Sequence, residues 1–157
     1  MSVEILNQLI NINDFRSEVY RKAYNRTDDE NLKLLFNRNF CSSLSHITAL
    51  SREITRLGET ASEPEKMSYW VCRLYVEILL MAGERGKALL NACQYCEEIS
   101  LNHYQEVMED MTVTDASLSE ILHTQEHEIK NALESLKRLS REAARISSGR
   151  SIPYRTN

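Results

Sequence analysis

Glycine and proline are scarce in this chain: four and two in 157 residues. That excludes a β-sandwich or barrel, which needs many tight turns, and favours long helices joined by few loops. Basic residues show no excess, with 19 Lys and Arg against 23 Asp and Glu and a formal net charge of −4. No basic face stands out, so nucleic acid is not the expected partner. Long hydrophobic runs are also missing. The most apolar stretch, residues 67–83, is interrupted by Arg73 and Glu77 and is too short and too charged to span a bilayer. The first residues, MSVEILNQLININDF, lack a basic region followed by an apolar one, so no signal peptide is expected. A cytoplasmic location follows as the default, and with it four reduced cysteines, Cys41, Cys72, Cys93 and Cys96.

What is present is helical periodicity. The first helix is expected over about residues 3–26, with Leu6, Leu9, Ile10, Tyr20 and Tyr24 on one stripe. Thr27, Asp28 and Asp29 make the turn and N-cap. The second runs over about 30–57, with Leu32, Leu35, Phe36, Phe40, Ile47, Leu50, Ile54 and Leu57 inward and Gly58 as its C′ residue. A short helix is expected over about 65–82, starting at Pro64, with Gly83 and Gly86 as the joint to the next. The third long helix covers about 85–111, with Leu89, Ala92, Cys96, Ile99 and Val107 inward. Residues 112–115 cap the fourth, which runs to about Ile146. Residues 1–146 form one domain, and the polar tail 147–157 is expected to be disordered. Two short connections give two antiparallel hairpins, and the long connection between them returns along the bundle.

The whole helical span resembles a bacterial family of ferritin-like four-helix bundles of unassigned function. The resemblance rests on ILNQLININDF, the run Tyr20 to Ala23, LKLLFNRN, CQYCEEISLNHYQEVME, and Gln125 with the HEIKNALESL that follows. It implies an all-α, ferritin-like four-helix bundle, two hairpins joined by a crossover carrying the short helix. It also implies a bacterial, stress-related setting. It supplies no reaction.

Four polar residues sit on the expected buried stripes: Asn13, His46, His103 and Gln125. Counted at about 1.5 Å per residue, all lie roughly 12–18 Å from the same end of the bundle. A ferritin-type di-iron centre there needs inward Glu and Glu-x-x-His pairs, because carboxylates neutralise and bridge hard cations. The one literal Glu-x-x-His, Glu120 to His123, faces away, with His123 about 145° from the stripe centre at 100° per residue. Glu18, Glu97 and Glu98 are read as turned away too, leaving a layer without carboxylates. Such a layer fixes helix register through hydrogen bonds. The alternative is one divalent ion, Zn or Fe, on His46 and His103 with Asn13 and Gln125 completing it. No catalytic residue is assigned, and enzyme activity is not the favoured reading. Cys93-Gln94-Tyr95-Cys96 has redox spacing, but it lies two turns inside a helix rather than at its N-terminus, so it reads as core packing.

The surface carries a further signal. Ile5, Ile12, Phe15 and Val19 form a second stripe on the first helix, and the short helix, YWVCRLYVEILLMAG, is apolar on nearly every side. Either the short helix covers that stripe or both join a subunit interface, and a homo-oligomer, a dimer first, is expected. The favoured function is therefore an oligomeric structural or interaction protein. The alternative is a metal-binding or redox protein using the core histidines.

Overall fold

The computed structural model describes residues 2–65, 69–82, 85–109 and 116–149. Five helices follow in order: α1 (Val3–Asn25), α2 (Glu30–Arg56), α3 (Trp70–Met81), α4 (Arg85–Glu109) and α5 (Ala116–Gly149). Among the described residues there is no strand. No described helix is long and apolar enough to cross a membrane.

The helix ends follow from local chemistry. Asp29 caps α2, its carboxylate accepting from the amides of Asn31 and Leu32. Gly58 adopts φ +83° past the end of α2. Its amide donates to Thr55 and that of Glu59 to Ile54, the paired closure that needs a left-handed residue at this point. The short helix begins later than its sequence suggests. Glu65 is not helical and Trp70 is the first residue of α3. Tyr69 ahead of it has φ 57°, which interrupts a helix, while its ring stacks on Phe15 and meets His103 edge-on. α5 continues to Gly149, three residues into the segment expected as a tail. Gly83, the cap at 112–115 and residues 150–157 lie outside the described residues.

Bonds across the bundle fix its topology. Along α1, Asn13, Arg16 and Tyr20 meet Tyr104 and Glu97 on α4 in descending order, so those helices are antiparallel. On α2 and α5, Ser42 bonds Glu128 while the His46 carbonyl accepts from Gln125, so those helices are antiparallel too. α1 and α2 form one hairpin, α4 and α5 the other, and α3 lies in the crossover: a ferritin-like bundle.

α1 is the central element. Leu6, Leu9, Ile10, Ile12, Phe15, Val19, Tyr20 and Ala23 are all buried, because α3 covers the second stripe while the bundle covers the first. Arg73 of α3 lies 5.6 Å from the Phe15 ring centroid and bonds Asp14, and Glu77 accepts from Lys22. Tyr24, expected on the core stripe, is 40% exposed instead, at the last turn where the bundle no longer covers it.

Candidate functional site

A polar layer crosses the bundle at mid-height and draws on all four long helices. At its centre is Arg16, which is fully buried. Its Nε and Nη2 donate to Oε2 and Oε1 of Glu97, each at 2.9 Å, in the two-pronged geometry that matches a guanidinium to a carboxylate. The Tyr20 hydroxyl donates to Oε1 of Glu97 at 2.5 Å. Glu97 thus receives three bonds in a site from which water is excluded.

The third nitrogen of Arg16 extends the network. Nη1 donates to Asn13 Oδ1 at 3.0 Å and faces His46 Nδ1 at 3.3 Å. Asn13 Nδ2 donates to Leu9 O at 2.8 Å and to Tyr104 Oη at 2.6 Å, and the Tyr104 hydroxyl donates to Gln125 Oε1 at 2.7 Å. On the far side, His46 Nε2 lies 2.9 Å from Glu128 Oε2, which also accepts from Ser42 Oγ at 2.9 Å. Arginine only donates, so Nδ1 of His46 presents its lone pair to Nη1, and Nε2 carries the proton toward Glu128.

The electrostatics follow from this arrangement. Burial disfavours the charged form of Arg16, but Glu97 outweighs it and holds the guanidinium protonated beyond its usual range. Burial, then the Arg16 charge, lowers the His46 pKa to about 4 despite Glu128, so the imidazole is neutral near pH 7. Burial would raise Glu128, but the bonds from His46 and Ser42 outweigh it and hold the carboxyl below its ordinary range. Desolvation pushes the Tyr104 hydroxyl above the normal tyrosine range, so it stays a donor.

The structure therefore brings together Asn13, His46 and Gln125 and leaves out His103. Tyr104, the next residue, bonds Asn13 and Gln125 in its place. His103 is half-buried against Tyr69 on the α3 side, its Nε2 buried without a partner, and burial lowers its pKa. Glu97, read from the sequence as turned away, is fully buried, so the layer is not free of carboxylates. The reason is that α4 is covered on two sides. Tyr95, Ile99 and His103 pack toward α3 and blur the stripe, whose centre runs through Cys93, Glu97, Ser100 and Tyr104. Glu98, Glu120 and His123 are exposed, and Glu18 pairs with Lys22 and Arg73, in agreement with the wheel. Arg16 escaped notice in the sequence because it lies between the two α1 stripes. The signal was there: Leu9, Asn13, Arg16 and Tyr20 follow a 4-3-4 spacing along one face.

Four-helix bundles that hold metals do so in the core with side chains from facing helices, and the donors here do not suit a cation. The Arg16 guanidinium sits against Glu97, Asn13 Oδ1 and His46 Nδ1, the groups a metal would need. Among the described residues no three His, Cys, Asp or Glu side chains are grouped to hold a metal ion. Nucleophilic chemistry is equally unsupported: Ser42 donates to Glu128, and His46 Nε2 is itself a donor. Cys93 and Cys96 are buried thiols whose pKa values burial pushes well up, the opposite of a redox pair.

Comparison with known proteins agrees with the fold and leaves the chemistry open. Residues 1–110 match the family described as a domain of unknown function, DUF2383, and the chain belongs to that family. No curated protein matches it. Among solved structures it is similar to a two-domain protein from Anabaena variabilis ATCC 29413 that contains DJ-1/ThiJ/PfpI-like and ferritin-like domains, with a TM-score of 0.71 at 17% identity. The match covers 99% of this chain and 40% of that one.

Proposed function

We propose that this member of the DUF2383 family is a non-enzymatic structural and interaction protein that works as an assembly, a homodimer first, joined through the outward face of α3. The observation that carries this reading is that face. Trp70, Val71, Leu74, Tyr75, Ile78 and Met81 are 44–84% exposed, while only Val76 of the helix is buried. Trp70, Leu74 and Ile78 follow one another at four-residue spacing, so they form a continuous stripe. The exposed surface of the six is on the order of 700 Å², against roughly 800 Å² per partner in a standard interface and a few hundred for a monomer's largest patch. The charged residues of the helix, Arg73 and Glu77, turn inward to Asp14 and Lys22 and leave the outer face uncharged. Two such helices packed about a two-fold axis bury each other's stripes. A cytoplasmic, stress-related setting in a bacterium belongs to this proposal, as does the absence of a nucleic-acid partner.

The second reading, a metal or redox protein using His46 and His103 with Asn13 and Gln125, is disfavoured by the guanidinium inside the layer. Light scattering at micromolar concentration separates the possibilities. The wild type should be a dimer, and Leu74→Glu with Ile78→Glu should be a monomer of unchanged helical content. A monomeric wild type would sink the proposal. Elemental analysis after loading with Fe²⁺, Zn²⁺ and Mn²⁺ should find no stoichiometric metal. Metal retained by the wild type and lost in His46→Ala, His103→Ala would establish the second reading instead.

A further inference from the structure

α3 is the helix least rooted in the core. Val76 is its one buried residue, and Tyr69 ahead of it has φ 57° and makes no capping bond through its side chain. Its apolar hold is on α4, where Tyr75 meets Tyr95 edge-on at 4.7 Å and the half-buried Cys72 bonds Tyr95.

Toward α1 the contact is made of charge. Asp14, Glu18, Lys22 and Arg26 follow one another at four-residue spacing along one ridge of α1 and its C-cap, and Arg73 and Glu77 lie one turn apart on α3. Arg73 Nη2 lies 3.2 Å from Asp14 Oδ2, and its Nη1 meets Glu18. Lys22 Nζ lies 2.8 Å from Glu18 Oε1 and 2.6 Å from Glu77 Oε1, and Arg26 Nη2 lies 3.3 Å from Glu77 Oε2. The six side chains form one ladder, Asp14–Arg73–Glu18–Lys22–Glu77–Arg26, in which each neighbour carries the opposite sign. The order of the contacts makes α3 parallel to α1. A reversed α3 would set Arg73 against Lys22 and Arg26, so the charges also select the direction.

We infer that this ladder is a salt-sensitive latch that holds α3 against α1 and keeps its apolar face turned outward. Its side chains are 18–42% exposed, so dissolved ions reach them. Screening shortens from about 10 Å at 0.1 M salt to about 3 Å at 1 M. One exposed pair contributes little, and it is the joining of the pairs into a single network that makes a latch. Once released, α3 keeps only its hold on α4, and Ile12, Phe15 and Val19 lose their cover. For its effect on assembly the inference rests on the reading of the α3 face given above; the latch itself does not.

The test follows labelling of Cys72 by an uncharged maleimide in the full chain carrying Cys41→Ser. Cys93 and Cys96 are fully buried and stay protected while the bundle is folded. Labelling should be about threefold faster in 1 M than in 0.05 M sodium chloride. Glu77→Lys puts a positive charge beside Lys22 and Arg26. It should speed labelling about tenfold at low salt, the equivalent of about 1.4 kcal/mol. Added salt should then slow the reaction, because it screens a repulsion instead of an attraction. Inverting the whole ladder (Asp14→Lys, Glu18→Lys, Lys22→Glu, Arg26→Glu, Arg73→Glu, Glu77→Lys) rebuilds the alternation and should bring back slow labelling. Salt-independent labelling of the parent chain, an unchanged rate in Glu77→Lys, or the same sign of salt effect in both would each overturn the latch, as would fast labelling in a folded inverted chain. The trends should persist when Leu74→Glu and Ile78→Glu are added, so a chain that proves monomeric refutes the assembly and leaves the latch standing.

Discussion

Arg16–Glu97 and His46–Glu128 lie in one layer and share a chain of hydrogen bonds, yet one is sealed and the other open. The side chains of the first pair are 1% and 0% exposed, whereas Glu128 is 51% exposed. The difference comes from their neighbours. α1 and α4 meet over large side chains such as Leu9, Tyr20 and Tyr104, and α3 covers the outside. α2 and α5 meet over serine, alanine, asparagine and threonine, and water reaches the seam. Burial makes a charge expensive and therefore makes its partner indispensable. Exposure makes the bond from the neutral His46 imidazole to the Glu128 carboxylate cheap to form and cheap to lose.

The sharpest way to break this comparison is to remove one partner from each pair. Arg16→Met strips the buried Glu97 carboxyl of its counter-charge and leaves it only the Tyr20 hydroxyl, and urea unfolding should show a loss of about 3–5 kcal/mol. Arg16→Met combined with Glu97→Leu should recover most of that loss, because the uncompensated charge is gone. Glu128→Gln, by contrast, should cost about 1 kcal/mol or less. Equal effects of Arg16→Met and Glu128→Gln would show that the α1–α4 pair is as hydrated as the other.

Acid should act on the open half first. His46 has a lowered pKa in the fold, about 4, against 6.5 for the free side chain. The unfolded chain therefore takes up a proton that the folded chain refuses. The stability due to the neutral imidazole is fully present above pH 6.5 and is lost as the pH falls toward 4, by about 3 kcal/mol in all. Glu128, also lowered, adds a loss in the same direction at lower pH still. A protonated Nδ1 turns to Asn13 Oδ1, 3.1 Å away, and faces the Arg16 guanidinium as a like charge. His46→Gln, which cannot titrate, should flatten the stability profile between pH 6.5 and 4. An unchanged slope would place the acid sensitivity elsewhere.

Sequence periodicity was enough for the architecture because four long helices with strong stripes and short loops admit few arrangements. It was enough for half of the layer too. Asn13, His46 and Gln125 lie on helices whose buried face is simple, and they meet as their heights require. It failed on α4, where a second covering helix widens the buried arc and shifts its centre from His103 to Tyr104 and Glu97. It failed on Arg16 for a related reason, since an arginine between two apolar stripes reads as a solvated residue unless its buried partner is known. Pairing is a tertiary fact, and neither half of the ion pair announces the other.

The smallest effect concerns the histidine that the layer does not use. His103 Nε2 is buried without a partner, while His123 is exposed. His103→Leu should therefore leave the bundle equally stable or more stable by about 1 kcal/mol, since it removes an unpaired polar atom from an apolar setting beside Tyr69. His123→Leu should change thermal unfolding by less than about 0.5 kcal/mol, as surface substitutions do. A marked destabilisation in His103→Leu would mean that the imidazole holds a partner after all and would return it to the polar layer. A gain would complete the contrast, because the same substitution at His46 strips the Arg16 and Glu128 contacts at once and should cost more than either.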